Sequence, residues 1–85
     1  MNTILLLEDL PEIRSWLKSL VTLVFPHAHI VECARVHDAL AQVTAQKFQL
    51  ALIDLGLPDG SGVDVVSALR ESQPEAQSVI VTIHD

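Results

Sequence analysis

Unbroken apolar runs appear at several places along this chain, each ended by acidic or turn-forming residues. Runs of about four to eight such residues are typical of strands buried on both faces of a parallel sheet. They predict strands over residues 3–7, 50–54 and 78–83. The segment 29–34 is shorter and more polar, which favours a strand at the edge of the sheet.

Between these runs, apolar residues recur at intervals of three and four, the pattern of an amphipathic helix. The first such helix is predicted to begin at Pro11, which has no amide hydrogen to lose, and to end before Pro26. Two further helices are predicted over residues 38–47 and 62–73. The inward face of the first helix is expected to carry Ile13, Trp16, Leu17, Leu20, Val21 and Val24.

The alternation of strands and helices predicts an α/β fold of one domain, with a parallel sheet and helices on both faces. The net charge is −6, and the five Lys and Arg residues are scattered, so this segment is not expected to contact nucleic acid. No apolar run approaches the length of a membrane span. The single cysteine, Cys33, fits a reducing compartment, and we expect a cytoplasmic protein.

Polar residues follow three of the predicted strands at the end where each strand leaves the sheet. Glu8 and Asp9 follow the first strand, Asp54 ends the third, and Thr82 lies near the end of the fourth. If these strands are neighbours, the side chains share one rim, where α/β sheets place their chemistry. Carboxylates so close repel one another unless a hard dication such as Mg²⁺ binds them. An aspartate there could accept a phosphoryl group, although Asp54 could instead only stabilise the loop.

The acidic pair Glu8-Asp9, the segment DLGLPDGSG that begins at Asp54, and Thr82 together resemble the receiver domain of two-component response regulators. The resemblance spans residues 1–85 and implies a flavodoxin-like three-layer fold, with strand order 2-1-3-4. It implies that Asp54 accepts a phosphoryl group from a histidine kinase and that Thr82 acts as the switch hydroxyl. Asp9, Asp54 and the carbonyl of Gly56 would bind Mg²⁺ directly, and Glu8 would act through water.

The closing VTIHD resembles receivers attached to helix-turn-helix output domains of the NarL/LuxR type, which implies a DNA-binding output domain in a longer parent protein. Receivers also have a fifth strand with a phosphate-contacting lysine, then a final helix, and this chain shows neither. Its lysines, Lys18 and Lys47, lie in predicted helices, so we expect a partial receiver that is phosphorylated slowly or not at all. The bare fourth strand is expected to promote a homodimer or oligomer.

Three functions remain open at this point. The first is a phosphorylation-controlled switch with no enzymatic activity beyond self-catalysed phosphorylation and dephosphorylation. The second is an interaction module of the same fold that is not phosphorylated. The third, a phosphohydrolase of the haloacid-dehalogenase class, would need an aspartate where this chain has Gly56.

Overall fold

The computed structural model describes residues 3–81, which form a parallel sheet with helices on both sides. The strands are β1 (Thr3–Leu7), β2 (His29–Cys33), β3 (Leu50–Ile53), β4 (Gly56–Leu57), β5 (Gly60–Ser61) and β6 (Gln77–Ile80). The helices are α1 (Pro11–Val24), α2 (Val36–Ala45) and α3 (Gly62–Ser72). None of the helices in this described part is both long and apolar enough to cross a membrane.

The main sheet has the order β2-β1-β3-β6, and all of its neighbouring strands are parallel. This confirms the predicted order 2-1-3-4, because β6 is the fourth long strand of the chain. This strand is labelled β6 instead of β4 because two short strands precede it in the chain. They form a separate two-stranded antiparallel hairpin, β4–β5, which the sequence pattern did not predict. Its strands are only two residues long, too short to produce an apolar run.

The larger part of the core lies between the sheet and the pair α2 and α3. Side chains alternate between the two faces of a strand, so Leu5, Leu7, Ala51 and Ile53 lie on this face and are buried with Val65 and Leu69 of α3. Ile4 and Leu6 lie on the opposite face and are also fully buried. There α1 covers them with its two buried residues, Leu17 and Val21.

Several predicted boundaries need correction. The helix α2 begins at Val36 rather than at residue 38, because its first amides are capped by Asp59, from a distant loop, and not by a residue at its own start. It ends at Ala45, two residues earlier than predicted. The last strand covers Gln77–Ile80 instead of 78–83, and residues 82–85 lie outside the described part.

The prediction that Trp16 belongs to the core is wrong. Trp16 is 53% exposed, and Leu20 and Val24 are also exposed. The helix lies over β1, and its buried residues form only the narrow stripe of Leu17 and Val21. Apolar residues to one side of this stripe therefore remain in contact with solvent.

Candidate metal centre

Three carboxylates meet at the carboxyl ends of the two central strands. Glu8 and Asp9 directly follow β1, and Asp54 directly follows β3. The parallel register places Leu7 opposite Ile53, so both strands leave the sheet at the same level. Carboxylate oxygens of the three residues lie within 4.8 Å of one another. The structure thus brings together the three acids that the sequence analysis selected.

Backbone hydrogen bonds fix the chain where these acids leave the sheet. The Glu8 amide donates to the Cys33 carbonyl (3.0 Å), and the Asp54 amide donates to the Leu7 carbonyl (2.9 Å). The guanidinium of Arg14 donates from Nη1 to the Glu8 carbonyl at 2.9 Å. The cluster is therefore held by the rigid sheet and the first turns of α1.

Glu8 is the most buried acid of the cluster, and the residue is only 4% exposed. The pKa of Glu8 is raised from 4.5 to about 7, first by burial and then by a hydrogen bond and charge repulsion from Asp54. Asp9 adds a smaller repulsion, and a backbone hydrogen bond from Leu10 partly opposes the rise. Without a cation, Glu8 therefore holds a proton far more readily than an ordinary glutamate.

No basic side chain within residues 3–81 forms an ion pair with the cluster. The ion pairs of this part of the chain join Arg14 and Lys18 to Glu32, at 3.6 and 3.1 Å. Three hard oxygen donors without a protein cation suit Mg²⁺, which binds carboxylates and keeps several waters. The residues present therefore fit a magnesium ion.

The loop after Asp54 turns back on itself through the hairpin β4–β5 and enters α3. Gly62, the first residue of that helix, packs against the carbonyl oxygen of Asp54, where a Cβ atom would overlap. The Gly62 amide donates to the carbonyl of Leu55 at 2.9 Å. Gly56 lies at the start of the hairpin, two residues beyond Asp54, with its amide 3.4 Å from Asp54 Oδ1.

Other predicted site residues have different outcomes. Thr82 lies outside the described residues, and the structure describes the chain only up to Val81, whose amide donates to the Ile53 carbonyl at 2.9 Å. Lys18 contacts Glu32, and Lys47 lines a cavity at the opposite end of β3, beside Gln77. As predicted, neither lysine serves the acidic cluster.

The sequence analysis assigned no role at the site to Arg14 or to Asp59. Arg14 supports the Glu8 backbone, and Asp59 binds the start of α2. Arg14 contacts a backbone carbonyl, and Asp59 contacts backbone amides of a segment that is distant in sequence. No local pattern of residue types could have revealed either of them.

A known protein family matches the sequence that builds this geometry, with acids at the ends of β1 and β3 beside a glycine-rich hairpin. The response regulator receiver domain family matches residues 4–85. The chain belongs to this family. The resemblance stated from the sequence is thereby confirmed for the fold and the family.

Among curated relatives, the response regulator protein PilR of Pseudomonas aeruginosa is 30% identical over 94% of this chain and 18% of its own length. The photosynthetic apparatus regulatory protein RegA of Rhodobacter capsulatus is 45% identical over 62% of this chain and 28% of its own length. The receiver therefore spans less than a third of either relative.

Solved structures superpose on the whole chain. The MaeR response regulator bound to beryllium trifluoride has a TM-score of 0.86 and 25% identity, and the match covers 100% of this chain and 70% of MaeR. The response regulator TrrA of Thermotoga maritima, in complex with Mg(2+)-BeF, has a TM-score of 0.84 and 26% identity, covering 100% and 72%. Both structures support the fold assignment for this receiver.

Proposed function

We propose that this receiver accepts a phosphoryl group on Asp54 with the help of Mg²⁺. The observation that carries the proposal is the meeting of three carboxylates within 4.8 Å, with no basic side chain of residues 3–81 paired to them. Such an arrangement is unfavourable in the absence of a dication. The similarity to TrrA, solved with Mg(2+)-BeF, supports the same choice of ion.

In this proposal Asp9 and Asp54 bind the ion directly, Gly56 adds its backbone carbonyl, and Glu8 acts through a water molecule. A carboxylate oxygen of Asp54 attacks the phosphorus atom, and the bond to the donor's leaving group breaks as the new oxygen–phosphorus bond forms. The leaving group departs with the electron pair. Bound Mg²⁺ would offset negative charge on the transferring phosphoryl oxygens.

The experiment is incubation with Mg²⁺ and a small phosphodonor, followed by intact mass measurement. Wild-type protein is expected to gain one phosphoryl group, while Asp54→Ala and an EDTA-treated sample gain none. Asp64→Ala is the matched control, since Asp64 is an exposed acid in the first turn of α3. Equal labelling of wild type and Asp54→Ala would refute the assignment.

The proposed switch hydroxyl is Thr82, the residue after Val81. The Val81 amide donates a hydrogen bond to the Ile53 carbonyl, so Val81 lies beside the residue that precedes Asp54. This contact supports the proposal, because Thr82 is the next residue after Val81. Thr82→Ala is expected to accept the phosphoryl group but to lose the change in amide exchange that phosphorylation causes in wild type. An unchanged response in Thr82→Ala would remove Thr82 from the proposal.

The proposed phosphodonor partner is a histidine kinase, and the proposed location of this receiver is the cytoplasm. The proposed parent protein also carries an output domain that regulates transcription. The similarity to the KDP operon transcriptional regulatory protein KdpE of Escherichia coli, 31% identical over 84% of this chain, supports a transcriptional output. Transfer from a radiolabelled kinase to wild type, and not to Asp54→Ala, would test the partner. Phosphohydrolase activity is not favoured, since Gly56 holds the position of the second aspartate.

We further propose that a second copy of the chain covers the apolar surface beside β6, which includes Val79 of β6 and Trp16 of α1. Arg14 and Lys18 form ion pairs with Glu32 of β2, so their side of α1 faces β2. Trp16 lies on the opposite side of the helix, which therefore faces β6, since β2 and β6 are the two edges of the sheet. Within the described residues, β6 pairs only with β3, and its Val79 is 44% exposed. An apolar edge strand with unpaired backbone groups recruits another chain.

Sedimentation velocity over a concentration series tests this association. Wild type is expected to dimerise or oligomerise, and Val79→Lys is expected to shift the equilibrium toward monomer. Val63→Lys is the matched control, because Val63 is 52% exposed on α3, away from this surface. A folded monomer at every concentration would contradict the proposal.

A further inference from the structure

Asp59 binds the start of α2 through both of its carboxylate oxygens. Oδ1 accepts a hydrogen bond from the Val36 amide at 2.8 Å, and Oδ2 accepts one from the His37 amide at 3.0 Å. The first amides of a helix have no partner inside the helix. The N-cap residue of α2, Arg35, supplies no side-chain hydrogen bond to them. Asp59 therefore caps this helix from a separate part of the chain.

These contacts keep the Asp59 carboxylate ionised. The amides of His37 and then Val36 hold the pKa of Asp59 below its usual value of 3.8. Negative charge at the beginning of a helix is also favourable because of the helix dipole. The contact thus joins an ionised acid to the end of α2 that carries partial positive charge.

The hairpin that carries Asp59 also begins with Gly56. β4 and β5 pair through Gly56 with Ser61 and Leu57 with Gly60, which leaves Asp59 in the two-residue loop between them. Gly60 has φ +154°. It lies against the side chain of Val36, whose Cγ2 atom is 3.7 Å from the position that a Cβ on Gly60 would occupy. The tip of the hairpin therefore contacts α2 through two consecutive residues.

Gly56 itself has little support from packing. Apart from Gly56 itself and its two chain neighbours, no residue has an atom within 4 Å of the position that its Cβ would occupy. Its amide lies 3.4 Å from Asp54 Oδ1, which is a long hydrogen bond. The place of the Gly56 carbonyl relative to Asp54 is therefore set mainly by the rest of the hairpin.

We infer that Asp59 is a positioning residue for the metal centre: by binding α2, it holds the hairpin so that the Gly56 carbonyl lies beside Asp9 and Asp54. This inference rests on the proposed binding of Mg²⁺ by the Gly56 carbonyl. Asp59 would not itself bind the ion. Its loss would leave the three acids in place but would free the hairpin and the first amides of α2.

The test is calorimetric titration with MgCl₂ of wild type, Asp59→Ala, Asp59→Asn and Asp38→Ala, each in conditions where circular dichroism shows it folded. Asp38 is the matched control, because it is an exposed acid in the first turn of α2. Asp59→Ala is expected to weaken Mg²⁺ binding roughly tenfold, the lower end of the range for residues that position metal ligands. Asp59→Asn retains one acceptor oxygen and is expected to lose less, and Asp38→Ala is expected to bind as wild type does.

Amide exchange at Val36 and His37, measured by NMR, supplies a second readout. Both amides are expected to exchange faster in Asp59→Ala and to be unaffected in Asp38→Ala. Faster exchange with wild-type Mg²⁺ affinity would show that Asp59 only stabilises α2, and would overturn the inference. If Asp59→Ala does not fold, wild-type affinity in Asp59→Asn with faster exchange of either amide would overturn it equally. Wild-type protein that binds no Mg²⁺ would instead refute the proposed function, and the inference with it.

Discussion

The acidic cluster predicts that the metal-free protein loses stability as the pH rises toward neutrality. Folding raises the pKa of Glu8 from 4.5 to about 7, so the folded state binds this proton more tightly than the unfolded state. The resulting stabilisation is fully present below 4.5 and is lost as the pH rises through 7. From pH about 5 to about 8, the free energy of unfolding should fall by about 2–3 kcal/mol, since each pKa unit corresponds to about 1.4 kcal/mol.

Urea denaturation in EDTA at both pH values measures this difference. Glu8→Gln cannot ionise, so it should lose most of the pH dependence and be more stable than wild type at the higher pH. Glu12→Gln, which changes an exposed acid in the first turn of α1, should retain the wild-type difference. The window stays below the range where Cys33, whose pKa burial raises from 9.0 to about 11, contributes. Identical pH dependence in wild type and Glu8→Gln would refute the reasoning.

Three further predictions concern stability and can be checked by urea denaturation. Gly62→Ala should cost about 3 kcal/mol or more, because its Cβ would overlap the Asp54 carbonyl and lie 2.6 Å from Ile53, whereas Gly56→Ala has open space and should be tolerated. Gln73→Leu should cost about 2–4 kcal/mol, because it removes three hydrogen bonds to the backbone around the end of α2. Leu17→Ala should cost about 2–4 kcal/mol and Trp16→Ala less than about 1 kcal/mol; a larger effect of Trp16→Ala would contradict the exposed position.

The central sheet and its acidic rim could be predicted because their causes are local. The strand β1 has five residues, the last four of them apolar, and is followed directly by Glu8 and Asp9. Parallel pairing then aligns the end of β1 with the end of β3 and brings Asp54 beside these acids. Strand geometry placed each acid at the end of its strand, and the resemblance to receivers supplied the strand order that makes β1 and β3 neighbours.

Features that depend on contacts between distant segments could not be predicted. Trp16 fits the helical spacing of apolar residues in α1. Its burial, however, depends on how much of the sheet lies beneath the helix, which this spacing does not encode. The helix α2 was predicted to begin at residue 38, but it begins at Val36, where its own N-cap residue makes no side-chain hydrogen bond. The cap comes instead from Asp59, 23 residues beyond Val36.

The most direct test of the central claim is to map the modified residue after incubation with a small phosphodonor and Mg²⁺. Chemical reduction of the acyl phosphate followed by peptide mass spectrometry identifies the carboxylate that carried it. We predict modification at Asp54 alone, dependent on Mg²⁺ and abolished by Asp9→Ala. Modification at Asp9 or Glu8 instead, or at Asp54 with the same yield in EDTA, would contradict a magnesium-assisted receiver site.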